Sequence, residues 1–247
     1  MKKRINLFLL GLIIGVVLLL IGLLLTYKFS SIRSGFLSPF KAAADSEVVV
    51  EPSDKPDIED IIDEKSGFFI ELAKAAEART REKITYDGSY VSINYPNGDV
   101  DPSKGVCTDV IIRTYRVFGI DLQELIHLDM KSNFSKYPNI WGSVSTDTNI
   151  DHRRVPNQMT YFKRKDASLP LSDLPADYSP GDIVAWDLGR GLMHIGMVST
   201  RISDRTGNPL IVHNIGGGPK LEDCLFRFEV IGHFRYYEKG ETELNSE

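Results

Sequence analysis

The sequence lacks the features by which several functional classes are recognised. Only two cysteines, Cys107 and Cys224, occur in 247 residues, too few for a disulfide framework or a four-thiolate zinc site. Positive charge is not in excess, since 29 Lys+Arg stand against 34 Asp+Glu for a net charge of −5. The basic footprint of duplex nucleic-acid binding is therefore missing, and no nucleic-acid partner is expected. Gly216-Gly217-Gly218 has neither the lysine nor the following helix of a phosphate loop and reads as a turn. Asp147-Thr148-Asn149-Ile150-Asp151 opens like a calcium loop, but His152 and Gln158 stand where glycine and glutamate are needed. His194 and His213 have no third histidine at a ligand spacing, so no metal and no cofactor are expected. With 42% hydrophobic and 26% charged residues, the chain is neither low-complexity nor wholly disordered.

One long apolar run is present. Leu7–Leu25 holds 19 residues without a charge, amide or hydroxyl, about 28 Å of helix against a hydrocarbon core of roughly 30 Å. The run is longer than a signal-peptide core, and the Ala42-Ala43-Ala44 cleavage-like pattern lies far beyond it, so an uncleaved anchor is expected. Lys2, Lys3 and Arg4 crowd its start, while Lys28, Arg33 and Lys41 are spread beyond its end, which places the N-terminus in the cytoplasm and the rest outside. The expected organisation is a cytoplasmic tip and transmembrane anchor over 1–27, a flexible tether over 28–65, a folded domain over 66–238 and a disordered tail over 239–247.

Within the domain, Phe69, Leu72, Ala73 and Ala76 have the spacing of an amphipathic helix over Phe68–Ala78. A second helix is expected from Cys107, with Val110, Ile111, Tyr115 and Phe118 on one face and Gly119 closing it. A short third helix covers Leu122–Met130, and most of the chain from there to Lys165 reads as loop. The final third turns to β-rich runs, PGDIVAWDL, HIGMVST, PLIVHNI and LFRFEVIGHFRYY, consistent with four antiparallel strands. The fold class is α+β: a helix bearing a thiol, packed on an antiparallel sheet.

Cys107 in the first turn of a helix is placed for nucleophilic chemistry, because a helix N-terminus and a neighbouring imidazolium lower a thiol pKa. Its own backbone N–H could meet a developing oxyanion. HIGMVST and PLIVHNI flank a polar loop centred near Asp204, and residues equidistant from an antiparallel turn face each other. His194 and His213 are thus expected on one face and in contact, one as base for Cys107 and the other orienting it. Each residue alone has a structural reading: a core cysteine, a Cys107–Cys224 disulfide, or hydrogen-bonded strand and helix histidines such as His127 and His233.

The ordered strings GVCTDV, PGDIVAW, HIGMVS and IVHN resemble the NlpC-like branch of the papain-like cysteine peptidases, bacterial enzymes that cut amide bonds in the cell wall. YPNGDV, GIDLQELIHLDM, DTNIDHRRVPN, VHNIGGGP and GHFRYY further resemble an exported bacterial family labelled as a domain of unknown function, from about Ala73 to Tyr237. The resemblance implies Cys107 as nucleophile, His194 as general base and acid, and His213 in the third position, with Asn214 beside it as the competing orienter. Asp147, Asn149, Asp151, His152, Arg153 and Arg154 are expected at the rim of the cleft, where arginine forks suit acidic stem peptides. Peptidoglycan peptides are the expected partners, the membrane is engaged through the N-terminal helix, and amide hydrolysis outside the cell is the expected activity. A non-catalytic envelope module, or acyl transfer or deamidation by the same triad, are the alternatives.

Overall fold

A computed structural model describes residues 58–238, with side chains from Lys65 onward. The anchor at Leu7–Leu25, most of the tether and the tail from 239 lie outside the described residues. Among the described residues no helix is long and apolar enough to cross a membrane.

Helix α1 (Ile58–Arg79) starts well before Phe68. Residues 58–65, expected as tether, are helical. Phe69, Leu72, Ala73 and Ala76 are buried, as their spacing predicts. A two-residue parallel pair follows, β1 (Thr85–Tyr86) with β2 (Lys104–Gly105). Helix α2 (Cys107–Arg116) comes next, then α3 (Leu122–Ser132). Gly119, at φ 74, reverses the chain between them. Asp121 caps α3 by accepting from the Gln123 backbone N–H.

One helix was not legible as such. Val155–Arg164 forms α4 inside the stretch expected as loop. Pro156 sits in its first turn, where a missing N–H costs nothing, and Val155, Met159 and Phe162 form its buried stripe.

The sheet holds β3 (Ile183–Asp187), β4 (Met193–Ile202), β5 (Pro209–His213), β6 (Lys220–Glu222) and β7 (Glu229–Phe234) in the order β6-β5-β4-β3-β7, with every pairing antiparallel. The four expected strands are present, and short β6 is added at the edge. Alternation gives the sheet two faces. Ile183, Ala185, Ile195, Met197, Val212 and Phe234 pack against the helices in one core. Val184, Trp186, Val198 and Ile211 pack on the other side with Tyr178, Cys224 and Leu225. The protein is thus α+β, with helices on one face of an antiparallel sheet.

Candidate active site

Cys107 is the first residue of α2, behind the N-cap Val106. The turn is tied down by Asp109, whose carboxylate accepts from the Val106 N–H at 2.6 Å and from Arg153 Nε and Nη2 at 2.9 Å each. The Thr108 hydroxyl donates to the Arg153 carbonyl at 3.0 Å. Arg153 was expected at the cleft rim. It is buried instead, its fork spent on Asp109, so its role is to hold the turn that carries the thiol.

Cys107 is buried, at 5% exposure for the whole residue. Burial pushes it up to about 11, against the pull of the backbone N–H groups of Ile195, Thr108 and Cys107 itself, with the Asp109 charge adding to the rise. The expected lowering by the helix terminus is outweighed because the charged form loses far more to desolvation than a helix end returns. Cys107 and Cys224 are both free thiols, so no disulfide joins them.

His194 and His213 do meet, with Nε2 and Nδ1 2.8 Å apart. The observed register pairs His213 with Gly196, two residues along from His194, so the imidazoles are diagonal neighbours on one face. Gly196 makes this contact fit: a Cβ there would lie 2.9 Å from the Val212 carbonyl oxygen and 3.1 Å from His213 Cβ. The other side of His194 is covered by Trp186, its partner across β3 and β4, with the rings stacked at 5.8 Å. The Trp186 indole N–H is held by the Leu225 carbonyl.

The chain of contacts continues to a residue that sequence reasoning missed. His213 Nε2 lies 3.0 Å from Glu222 Oε2. Burial favours the neutral acid at Glu222, but Lys220 and His213 outweigh it and hold the carboxyl below its usual range. The carboxylate can only accept, so His213 carries its proton on Nε2 and accepts at Nδ1 from His194 Nε2–H. His194 Nδ1 is left as a bare lone pair with no hydrogen bond among the described residues, and it is not among the fully buried orphan atoms. Burial, then repulsion from His213, lowers His194 to about 3. Burial also lowers His213, although Glu222 opposes it.

No hydrogen bond joins Cys107 to the His194 ring. The sulfur sits in the helix-side core, against the N–H of the peptide linking His194 to Ile195, while the imidazole turns to the other face. The two groups flank one peptide of β4 near its exposed start at Met193.

The remaining expected residues are structural in placement. Asn214 donates to the Gly105 carbonyl at 3.2 Å, its carboxamide oxygen accepts from the Gly216 N–H, and no hydrogen bond joins it to His194. Asp147 and Asn149 bind Tyr90, and the Asn149 carboxamide oxygen accepts from the Ile93 N–H. Asp151 caps the same turn and pairs with Arg154, whose guanidinium lies 4.0 Å from the Trp141 ring centroid. His152 is buried, and burial lowers it to about 4. The 147–154 segment is thus a hydrogen-bonded brace tied to Tyr90, Ile93 and Asp109. A separate open cavity of about 610 Å³ lies toward the C-terminal end of α2, lined by Arg79, Lys83, Asp99 and Arg116.

Glu222 carried little signal, since a three-residue strand after a glycine turn has no period to read. Its alternation with Lys220 places it on the His213 face only once β5 and β6 are paired.

No solved structure matches the chain. It is 48% identical over 168 residues to "Uncharacterized protein YijF" of Escherichia coli (strain K12), a match that covers 68% of this chain and 82% of the relative. Residues 73–236, which include the helix-borne thiol and the whole sheet, match the family model described as a domain of unknown function (DUF1287), and the chain belongs to that family.

Proposed function

We propose that this protein is a thiol hydrolase of papain-like, NlpC-like type, in which Cys107 is the nucleophile, His194 the base and His213 the orienter, with Glu222 positioning His213. The observation that carries the reading is the contact chain Glu222–His213–His194, which leaves His194 Nδ1 unpaired on the residue whose following peptide N–H meets the Cys107 sulfur. With the thiol raised by burial and the imidazole lowered, both partners rest neutral. The proton therefore moves from Cys107 Sγ to His194 Nδ1 as sulfur attacks the carbonyl, after substrate draws the two into reach. The imidazolium that forms is offset through His213 by the Glu222 carboxylate, and the Cys107 N–H faces the oxyanion. His194 then protonates the leaving amine, and a water activated by the same ring resolves the acyl-enzyme.

The substrate class is proposed from the ordered motifs: an amide in peptidoglycan stem peptides, reached by a domain outside the membrane on an N-terminal anchor. The test uses the full chain in detergent with murein sacculi. Wild type is expected to release muropeptides, and Cys107→Ala to release none, while Cys224→Ala stays active. Unchanged release by Cys107→Ala would refute the nucleophile. Binding to sacculi without turnover would favour the envelope-module reading, and turnover only with an added amine or glutamine donor would favour transfer or deamidation.

A further inference from the structure

Behind the imidazole pair, on the face away from the helices, a second thiol converges with two potential ligands. Cys224 Sγ lies 3.6 Å from His213 Nε2, Glu222 Oε2 lies 3.0 Å from the same nitrogen, and all three donor atoms fall within 4.8 Å of one another. With Zn–S near 2.3 Å and Zn–N or Zn–O near 2.0–2.1 Å, the ligand atoms of a tetrahedral zinc stand about 3.3–3.6 Å apart. Small side-chain movements therefore suffice to give three corners of that tetrahedron. Thiolate, imidazole and carboxylate together suit Zn2+ rather than Mg2+ or Ca2+. His213 and Cys224 are buried, whereas the Glu222 side chain is 26% exposed, which gives an ion an entry path and a fourth position for water. Lys220 and Arg227 also face Glu222, at 2.9 and 3.5 Å, but both extend into solvent and can swing aside.

We propose that His213, Glu222 and Cys224 form a zinc site whose occupation reverses the hydrogen-bond direction through the imidazole pair. This consequence for activity rests on the proposed hydrolase; the binding itself does not. A metal on His213 Nε2 needs that nitrogen's lone pair, so the proton there leaves to solvent and His213 Nδ1 takes the proton of His194 Nε2. His194 is then restored to neutrality by a proton from solvent on Nδ1, while Cys224 releases its thiol proton. Both imidazoles stay neutral and one proton is released in all. His194 Nδ1 changes from acceptor to donor, and a base becomes unable to receive the Cys107 proton. Zinc would thus act as an inhibitory ligand.

The experiment titrates metal-free full-length protein in detergent with Co2+ as the spectroscopic probe, then displaces it with Zn2+. The expected result is one Co2+ per chain with tetrahedral d–d bands and a thiolate charge-transfer band. Both bands should persist in Cys107→Ala, and affinity should weaken by more than about tenfold in Cys224→Ser and in Glu222→Gln. Near-ultraviolet circular dichroism checks that each variant is folded. No tetrahedral cobalt spectrum in wild type, unaltered affinity in folded Cys224→Ser, or loss of the bands in Cys107→Ala would each overturn the site. Zn2+ is further expected to inhibit muropeptide release by wild type and to spare Cys224→Ala. Equal inhibition of both would overturn the tautomer switch, whereas absence of release by metal-free wild type counts against the hydrolase and leaves the cobalt result to decide the zinc site.

Discussion

The pair Asp109–Arg153 is the sharpest test of how the fold holds Cys107. Side chains of both residues are almost wholly buried, at 4% and 2% exposure, so neither charge can turn to water when its partner goes. Arg153→Met leaves Asp109 with only the Val106 N–H of its described hydrogen bonds. Removing one partner of a buried pair costs about 3–5 kcal/mol. For a domain of this size, about 2–4 °C per kcal/mol converts this to a fall in melting temperature of roughly 6–20 °C. Asp109→Asn should cost less, about 1–3 kcal/mol. An amide oxygen still accepts from Val106, and Arg153 keeps the carbonyls of Ser89 and Asp87 at 3.4 and 3.3 Å. The double variant should cost less than the two singles together by at least about 1 kcal/mol. The assay is thermal unfolding of the detergent-solubilised chain followed by near-ultraviolet circular dichroism. A loss below about 1 kcal/mol in Arg153→Met, or strictly additive losses, would refute the argument that this buried pair anchors the thiol's helix turn.

Three further outcomes are expected. Because Cys107 is pushed up to about 11, iodoacetamide should modify it slowly at pH 7 and progressively faster into the alkaline range; rapid labelling at neutral pH would contradict a thiol held neutral by burial. His194 is lowered to about 3, so the unfolded chain binds a proton that the folded chain does not. Stability should be full above about pH 6.5 and fall on acidification toward pH 3, by up to about 1.4 kcal/mol per pH unit for this group; in denaturant titrations His194→Gln should flatten the slope, and an unaltered slope would argue against the buried neutral imidazole. Gly196→Ala places a Cβ 2.8 Å from Ile211 Cγ2 and 2.9 Å from the Val212 oxygen, which should cost about 1–3 kcal/mol and part the imidazoles. Gly217→Ala, with nothing within 4 Å, should be neutral in the same unfolding measurement.

What the sequence determined by itself was whatever depends on local period and turn chemistry. The stripe Phe69, Leu72, Ala73 and Ala76 named its buried face, Gly119 its helix end, and the four β-rich runs their strands. The equal distance of His194 and His213 from the centre of one polar loop even placed them on the same face. Tertiary structure decided the rest, because ion pairs and desolvation depend on what arrives from elsewhere in the chain. Arg153 looks like a rim residue until Asp109, 44 positions away, claims its fork. Cys107 stands at a helix terminus that favours the thiolate, yet burial against the sheet reverses the sign. Glu222 becomes part of the imidazole chain only when β6 pairs with β5, and Cys224 reaches His213 only through the turn that follows. Local periodicity marks which face a side chain occupies; only packing sets which charge survives there and what it touches.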